Sequence, residues 1–201
     1  MALCLLVLTF AVSLSAEIVD RVAVSIGNQV ITESELLREI RLTAFLGGEK
    51  PELSTTSKHK AAERLIEQKL IRKEMELGRD PQPTPAEAGQ MLAAIDKSRM
   101  MTLPDYGLTR EDLEAHLEWQ AALLKFIDFR FRPAVRVTNR DIQQYYQQHF
   151  AAAPVNKATL DDVRDQINQT LTAQRADQQM DAWLKDARKR THIVFHEEAF
   201  E

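Results

Sequence analysis

The feature that most limits the fold is the placement of strand-like sequence. IVDRVAVSIG followed by NQVIT lies near one end, THIVF lies near the other, and almost everything between them is helix-periodic. Val22, Val24 and Ile26 alternate with Ala23 and Ser25, the period of a strand with one covered face, and Gly27-Asn28 separates this run from the next. A two-stranded hairpin is marginal alone. Something has to cover or extend it, and Thr191-His192-Ile193-Val194-Phe195 is the only other convincing strand.

The helices announce themselves by their starts. Thr32 with Glu35 forms a capping box ahead of Leu36, Leu37 and Ile40, and Gly47-Gly48 with Pro51 stops that helix. A second helix is expected from about Lys58 to Leu77, with Ala62, Leu65, Ile66, Leu70 and Leu77 on one side and Gly78 as its cap. GRDPQPTP breaks the pattern, and Thr84, Pro85 and Glu87 restart it toward Met101. Thr109 opens the next helix, running to about Arg130. One apolar row there is Leu113, Leu117, Leu124, Ile127 and Phe131, and a second is Trp119, Leu123, Phe126 and Phe129. Thr138 with Asp141 starts a short helix carrying Ile142, Tyr145 and Tyr146. The last helix, about Leu160 to Arg190, is a long amphipathic strut.

Residues 2–16, ALCLLVLTFAVSLSA, carry no charge and end in small residues before Glu17. The run is short for a membrane span and resembles the apolar core and cleavage region of a secretory signal, with a cut after Ser15 or Ala16. No Lys or Arg precedes it, so a retained anchor and a buried segment stay open beside export. Cys4, the only cysteine, falls inside the run, so a mature chain needs no disulfide framework. With 26 basic and 30 acidic side chains the net charge is -4, which gives no reason to expect nucleic acid as a partner.

No constellation reads as an active site. His192 and His196, four apart with Glu197 and Glu198 close by, are a weak metal pair where three or four converging ligands are needed. No serine sits in a nucleophile elbow, and neither a phosphate loop nor a dinucleotide fingerprint occurs. The expectation is a non-enzyme without metal or cofactor.

The stretch IVDRVAVSIGNQVITESELLREI, with AAERLIEQKLIRKEM after it, resembles the opening of SurA-like periplasmic chaperones and related parvulin-type foldases. VTNRDIQQYYQQHF resembles the short helix that precedes their isomerase domain, and LDDVRDQINQTLTAQRADQQMDAWLKDARKRTHIVF the helix and strand that follow it. The ordered set covers nearly all of residues 17–201. Between Phe150 and Leu160, however, lie only nine residues, where a complete family member carries a whole isomerase domain. No isomerase residue can be carried over.

The resemblance implies a mostly α chaperone core of the SurA N-terminal and trigger-factor C-terminal type. A hairpin at 17–31, a helical region at 32–150, a linker at 151–159 and a closing helix and strand at 160–195 would make up one domain. The two ends would meet in a small sheet clamped by Val22, Val24, Ile26, Val30, Ile193 and Phe195. The implied activity is ATP-independent holding of unfolded exported polypeptides in the periplasm, with no stable membrane insertion once the signal is cut. A non-catalytic interaction or homodimerisation module is the alternative. A holdase needs reachable apolar surface, and Trp119, Leu123, Phe126, Phe129, Met91, Met100 and Met101 are the candidate client-binding residues, the methionines because thioethers adapt to varied side chains. They would line a groove between the Thr84–Met101 and Thr109–Arg130 helices. Each of them also fits a core position.

Overall fold

The computed structural model describes residues 20–78, 84–150 and 159–201. The expected signal segment, residues 1–16 with Cys4, and most of the expected 151–159 linker lie outside these residues. The chain is mostly helical, with a small antiparallel sheet built from both ends. In that sheet β1 (Val22–Ile26) is central, flanked by β2 (Gln29–Thr32) and β3 (Ile193–Phe195). Val24 lies between Ile31 and Phe195, Ser25 between Val30 and Val194. Gly27 takes a positive φ of 58°, which a residue with a Cβ rarely adopts, and its N–H donates to the His192 carbonyl at 2.9 Å. The hairpin turn is therefore tied to residues more than a hundred and fifty positions away.

One detail differs from the alternation read in the sequence. A register shift between Val22 and Val24 turns β1, so that Ala23 and Val24 are both fully buried and Ile26 nearly so. A central strand covered on two sides has no solvent face to alternate toward.

Seven α-helices are described: α1 (Glu33–Gly47), α2 (Thr55–Gly78), α3 (Pro85–Ala93), α4 (Lys97–Met100), α5 (Arg110–Arg130), α6 (Asn139–His149) and α7 (Leu160–Lys189). Five of them start in the same local chemistry, a threonine followed three residues later by an acid. The boxes are Thr32/Glu35, Thr84/Glu87, Thr109/Asp112, Thr138/Asp141 and Thr159/Asp162, each with the threonine N–H donating to the carboxylate at 2.7–2.9 Å. Helix α2 starts three residues earlier than expected because the Ser54 hydroxyl accepts from the Ser57 amide at 3.3 Å. The single helix expected from Thr84 to Met101 is two, since Asp96 caps a new start by accepting from Ser98 N–H at 2.8 Å.

Apolar side chains gather in three clusters. The main one joins the sheet to α1, α2, the second half of α5 and the second half of α7, with Phe126 and Phe200 sealed inside. A second, around Phe45, Leu103, Leu108, Leu113 and Leu117, supports the lobe of α3 and α4. The third is small: Ile142, Val163 and Ile167 hold α6 against the first half of α7. α7 thus leaves the main cluster and continues as one side of a two-helix arm.

Candidate functional site

Helix α5 carries most of the candidate residues, and its packing sorts them. Trp119 is buried, with the Arg72 guanidinium 4.4 Å above its ring. Phe126 is completely buried, its ring edge-on to Phe131 at 5.5 Å and to Trp183 at 5.6 Å. These two are core residues and do not line a groove. Leu123 is half-buried against the same cluster. Met91 and Met100 are half-buried against the second cluster, whereas Met101, next to Met100, is 81% exposed. Phe129 is 56% exposed, and so is Leu124, although Leu113, Leu117, Ile127 and Phe131 of its row are buried or half-buried. Leu77, at the end of α2, is also open, at 74%.

The departure at α5 has a physical cause. The helix serves two clusters in turn: Leu113 and Leu117 point into the second, Trp119, Ala122 and Phe126 into the main one. Its inward face rotates along its length, so neither of the two straight rows stays inward throughout. Ala121 and Ala122, both buried, follow Trp119 on this half of the helix.

Two ion pairs place the exposed residues. Lys125 reaches Glu87 of α3 at 2.9 Å, and Arg130 reaches Glu74 of α2 at 2.6 Å. Leu77, one turn beyond Glu74, and Phe129, beside Arg130, are therefore at the same end of the molecule. Helical spacing puts Asp128 between Leu124 and Phe129, and its carboxylate is held by Arg132 at 2.8 Å. Apolar side chains alternate there with paired charges. Met101 belongs to the other end of the lobe, beside Arg99, which donates to the Phe45 and Leu46 carbonyls at the close of α1.

The charged groups nearby are tuned by the same contacts. Hydrogen bonds from Lys125 and from Thr84 hold the Glu87 carboxyl down to about 2, and those from Arg175 and Thr138 hold Asp141 on the arm well below the usual carboxylate range. Burial lowers His116, which lines an open groove of about 260 Å³ with Arg38, Leu42, Leu65 and Arg72. Three acids bordering that groove are paired: Glu35 with Lys69, Glu39 with Arg64, and Asp112 with Arg38.

The clamp residues divide as well. Val24 and Ile26 are buried, Val22, Ile193 and Phe195 half-buried, while Val30 is 44% exposed and contributes through its backbone pairing with Ser25. His192 and His196 do not form a pair of ligands: His196 shares a 2.9 Å hydrogen bond with Ser25, and His192 is exposed. Among the described residues no three His, Cys, Asp or Glu side chains gather as metal ligands would, and no helix is long and apolar enough to cross a membrane.

Sequence reasoning missed Phe200, Ala199 and Lys58. All three are buried, and they meet where α2 begins. The one signal available was a lone Ala-Phe pair in an otherwise acidic stretch, which has no period to read. Comparison with protein-family models gives no match for this chain, and comparison with curated proteins gives none either.

Proposed function

We propose that the chain is an ATP-independent holdase that shields unfolded, export-destined polypeptides and does not isomerise prolyl bonds. The observation that carries this reading is the open apolar end of the helical lobe. Leu77, Leu124 and Phe129 are exposed there and are separated by the Asp128–Arg132, Lys125–Glu87 and Arg130–Glu74 pairs. Large side chains set singly among fixed charges keep the empty protein soluble while offering anchor points to a chain with no defined shape. Client contact moves, on this reading, from Trp119 and Phe126 to Leu124 and Phe129, with Met101 as a separate point.

The resemblance in the ordered segments supports the same reading, as does a sheet that closes on itself from both ends. The nine residues between Phe150 and Leu160 leave no room for an isomerase domain.

The test is suppression of aggregation of several unrelated, chemically unfolded proteins by the chain lacking residues 1–16, with prolyl isomerisation measured alongside. Suppression near stoichiometric amounts is expected, weakened severalfold by the paired change Leu124→Ser and Phe129→Ser, with no isomerisation above background. A tight dimer indifferent to every unfolded protein would replace this reading with that of an interaction module.

A further inference from the structure

Residues 197–201 form a short strap after β3, and the way it is held is unlike the rest of the surface. Four successive main-chain carbonyls each accept a hydrogen bond from a side chain of the frame. Arg21 donates to Glu198 O at 2.8 Å, Lys58 to Ala199 O at 3.2 Å and to Glu201 O at 2.8 Å, and Thr55 to Phe200 O at 2.9 Å. Lys58 is only 6% exposed, and its remaining partner is Glu33 at 3.1 Å. A buried ammonium is costly unless its donors are satisfied, and two of the three acceptors here belong to the strap. The ring of Phe200 lies flat on His59, 4.2 Å between centroids, with Phe195 at 5.9 Å.

Side-chain recognition by contrast is confined to one pair. Ala199 and Phe200 are sealed, whereas Glu197, Glu198 and Glu201 point to solvent, Glu197 meeting only His59 at 3.6 Å. The strap itself has one internal backbone bond, from Phe200 N to Glu197 O, and a second ties Ala199 N back to His196 O. Its conformation is thus imposed mainly by the frame around it.

Donors aimed at main-chain carbonyls, beside one aromatic slot, are the chemistry of a receptor that reads backbone and a single side chain. We infer that the corner formed by Arg21, Thr55, Lys58 and His59 is a peptide-binding site, filled in cis by residues 197–201, and that a segment presenting a small residue followed by an aromatic among acidic neighbours can take it in trans. The strap then acts as a tethered competitor that keeps the site shut at low peptide concentration. This inference does not depend on the holdase reading.

The probe is a fluorescein-labelled peptide of sequence HEEAFE, titrated by anisotropy against the native chain and against F200A. Removing the ring weakens the competitor, so F200A is expected to bind at least tenfold more tightly than the native chain. Binding should vanish for the peptide HEEAAE and fall at least tenfold when K58M is added to F200A. Equal or absent binding by the folded native and F200A chains would overturn the site. Should F200A fail to fold, hydrogen exchange in the native chain decides. Ala199 and Phe200 amides exchanging at least a hundredfold faster than those of Val24 and Ile26 mean that the strap opens by itself, and equal protection means that it is a fixed part of the core. Peptide binding without suppression of aggregation would keep this site and remove the holdase reading, and the reverse result would remove the site alone.

Discussion

The clamp and the arm are built on opposite terms. Around the sheet, twenty buried side chains drawn from both chain ends and from α1, α2, α5 and α7 lock one another, and both tryptophans belong to that cluster. The arm of α6 and the first half of α7 buries three, Ile142, Val163 and Ile167. Around these three lie only half-buried side chains such as Tyr145, Tyr146 and Leu171, and polar ties: Arg175 to Asp141 at 3.0 Å, Arg164 to Asn139 at 3.2 Å, and Arg175 to the Arg136 carbonyl. Exposed pairs of this kind contribute little each. The contrast teaches that one continuous helix, α7, can belong to a rigid core at one end and to a locally openable unit at the other.

The largest effect expected is at Phe126. Truncation to alanine removes a fully buried ring that touches Phe131 and Trp183, and should cost about 3–5 kcal/mol, seen as a lower midpoint in denaturant followed by tryptophan fluorescence. Ile167→Ala removes the best-buried side chain of the arm and carries a nominal cost of about 2–5 kcal/mol. Because the arm can open without the core, most of that loss should appear locally. Amides of α6 would lose protection while the tryptophan-detected midpoint shifts far less than for Phe126→Ala. An equal shift in both variants would break the comparison, and the arm would have to be counted as core.

The pH response should separate the regions next. Glu87 is held down to about 2 from an ordinary 4.5, and Asp141 is held well below 3.8. A carboxyl with a depressed folded pKa stabilises fully above its unfolded value and loses that contribution as pH falls through the folded one. The grip of α3 on α5 should therefore weaken between pH 4.5 and about 2, and that of α6 on α7 as pH falls below 3.8. Tyrosine signals report this, since Tyr145 and Tyr146 pack in the arm and Tyr106 in the second cluster, while tryptophan emission should stay native longer. Simultaneous loss of both signals would mean that acid acts on the clamp directly.

How far the sequence could be read follows the same division between local and distant causes. The helix starts were legible because a threonine and an acid three residues apart complete their bonds within one turn, whatever lies beyond. Strands at opposite ends were legible as strands from their β-branched alternation; the marginality of a lone hairpin asked for something to extend it, and the resemblance implied that the two ends meet. What resisted reading depends on non-local packing. The inward face of α5 rotates because it serves two clusters, so the two apolar rows do not tell that Trp119 and Phe126 are core while Leu124 and Phe129 are open. The burial of Phe200 is set by Lys58, Thr55 and His59, far away in sequence. A run of five residues with three glutamates gives no hint of it.

The smallest expected effect is also the sharpest test of the assigned surface. Phe129 and Phe126 are the same residue type, three positions apart on one helix, yet one is 56% exposed and the other fully sealed. Phe129→Ser replaces a side chain that the fold does not use, so its stability change should stay within about 0.5 kcal/mol, an order below that of Phe126→Ala. Client suppression should move the other way, falling in Phe129→Ser although the protein remains native. Combining the two readouts on these two positions separates a contact surface from a core, because a residue needed only for folding cannot lose one property while keeping the other. If Phe129→Ser instead destabilises the chain by several kcal/mol, the ring is covered in solution, and the open end of the lobe is an interface already occupied.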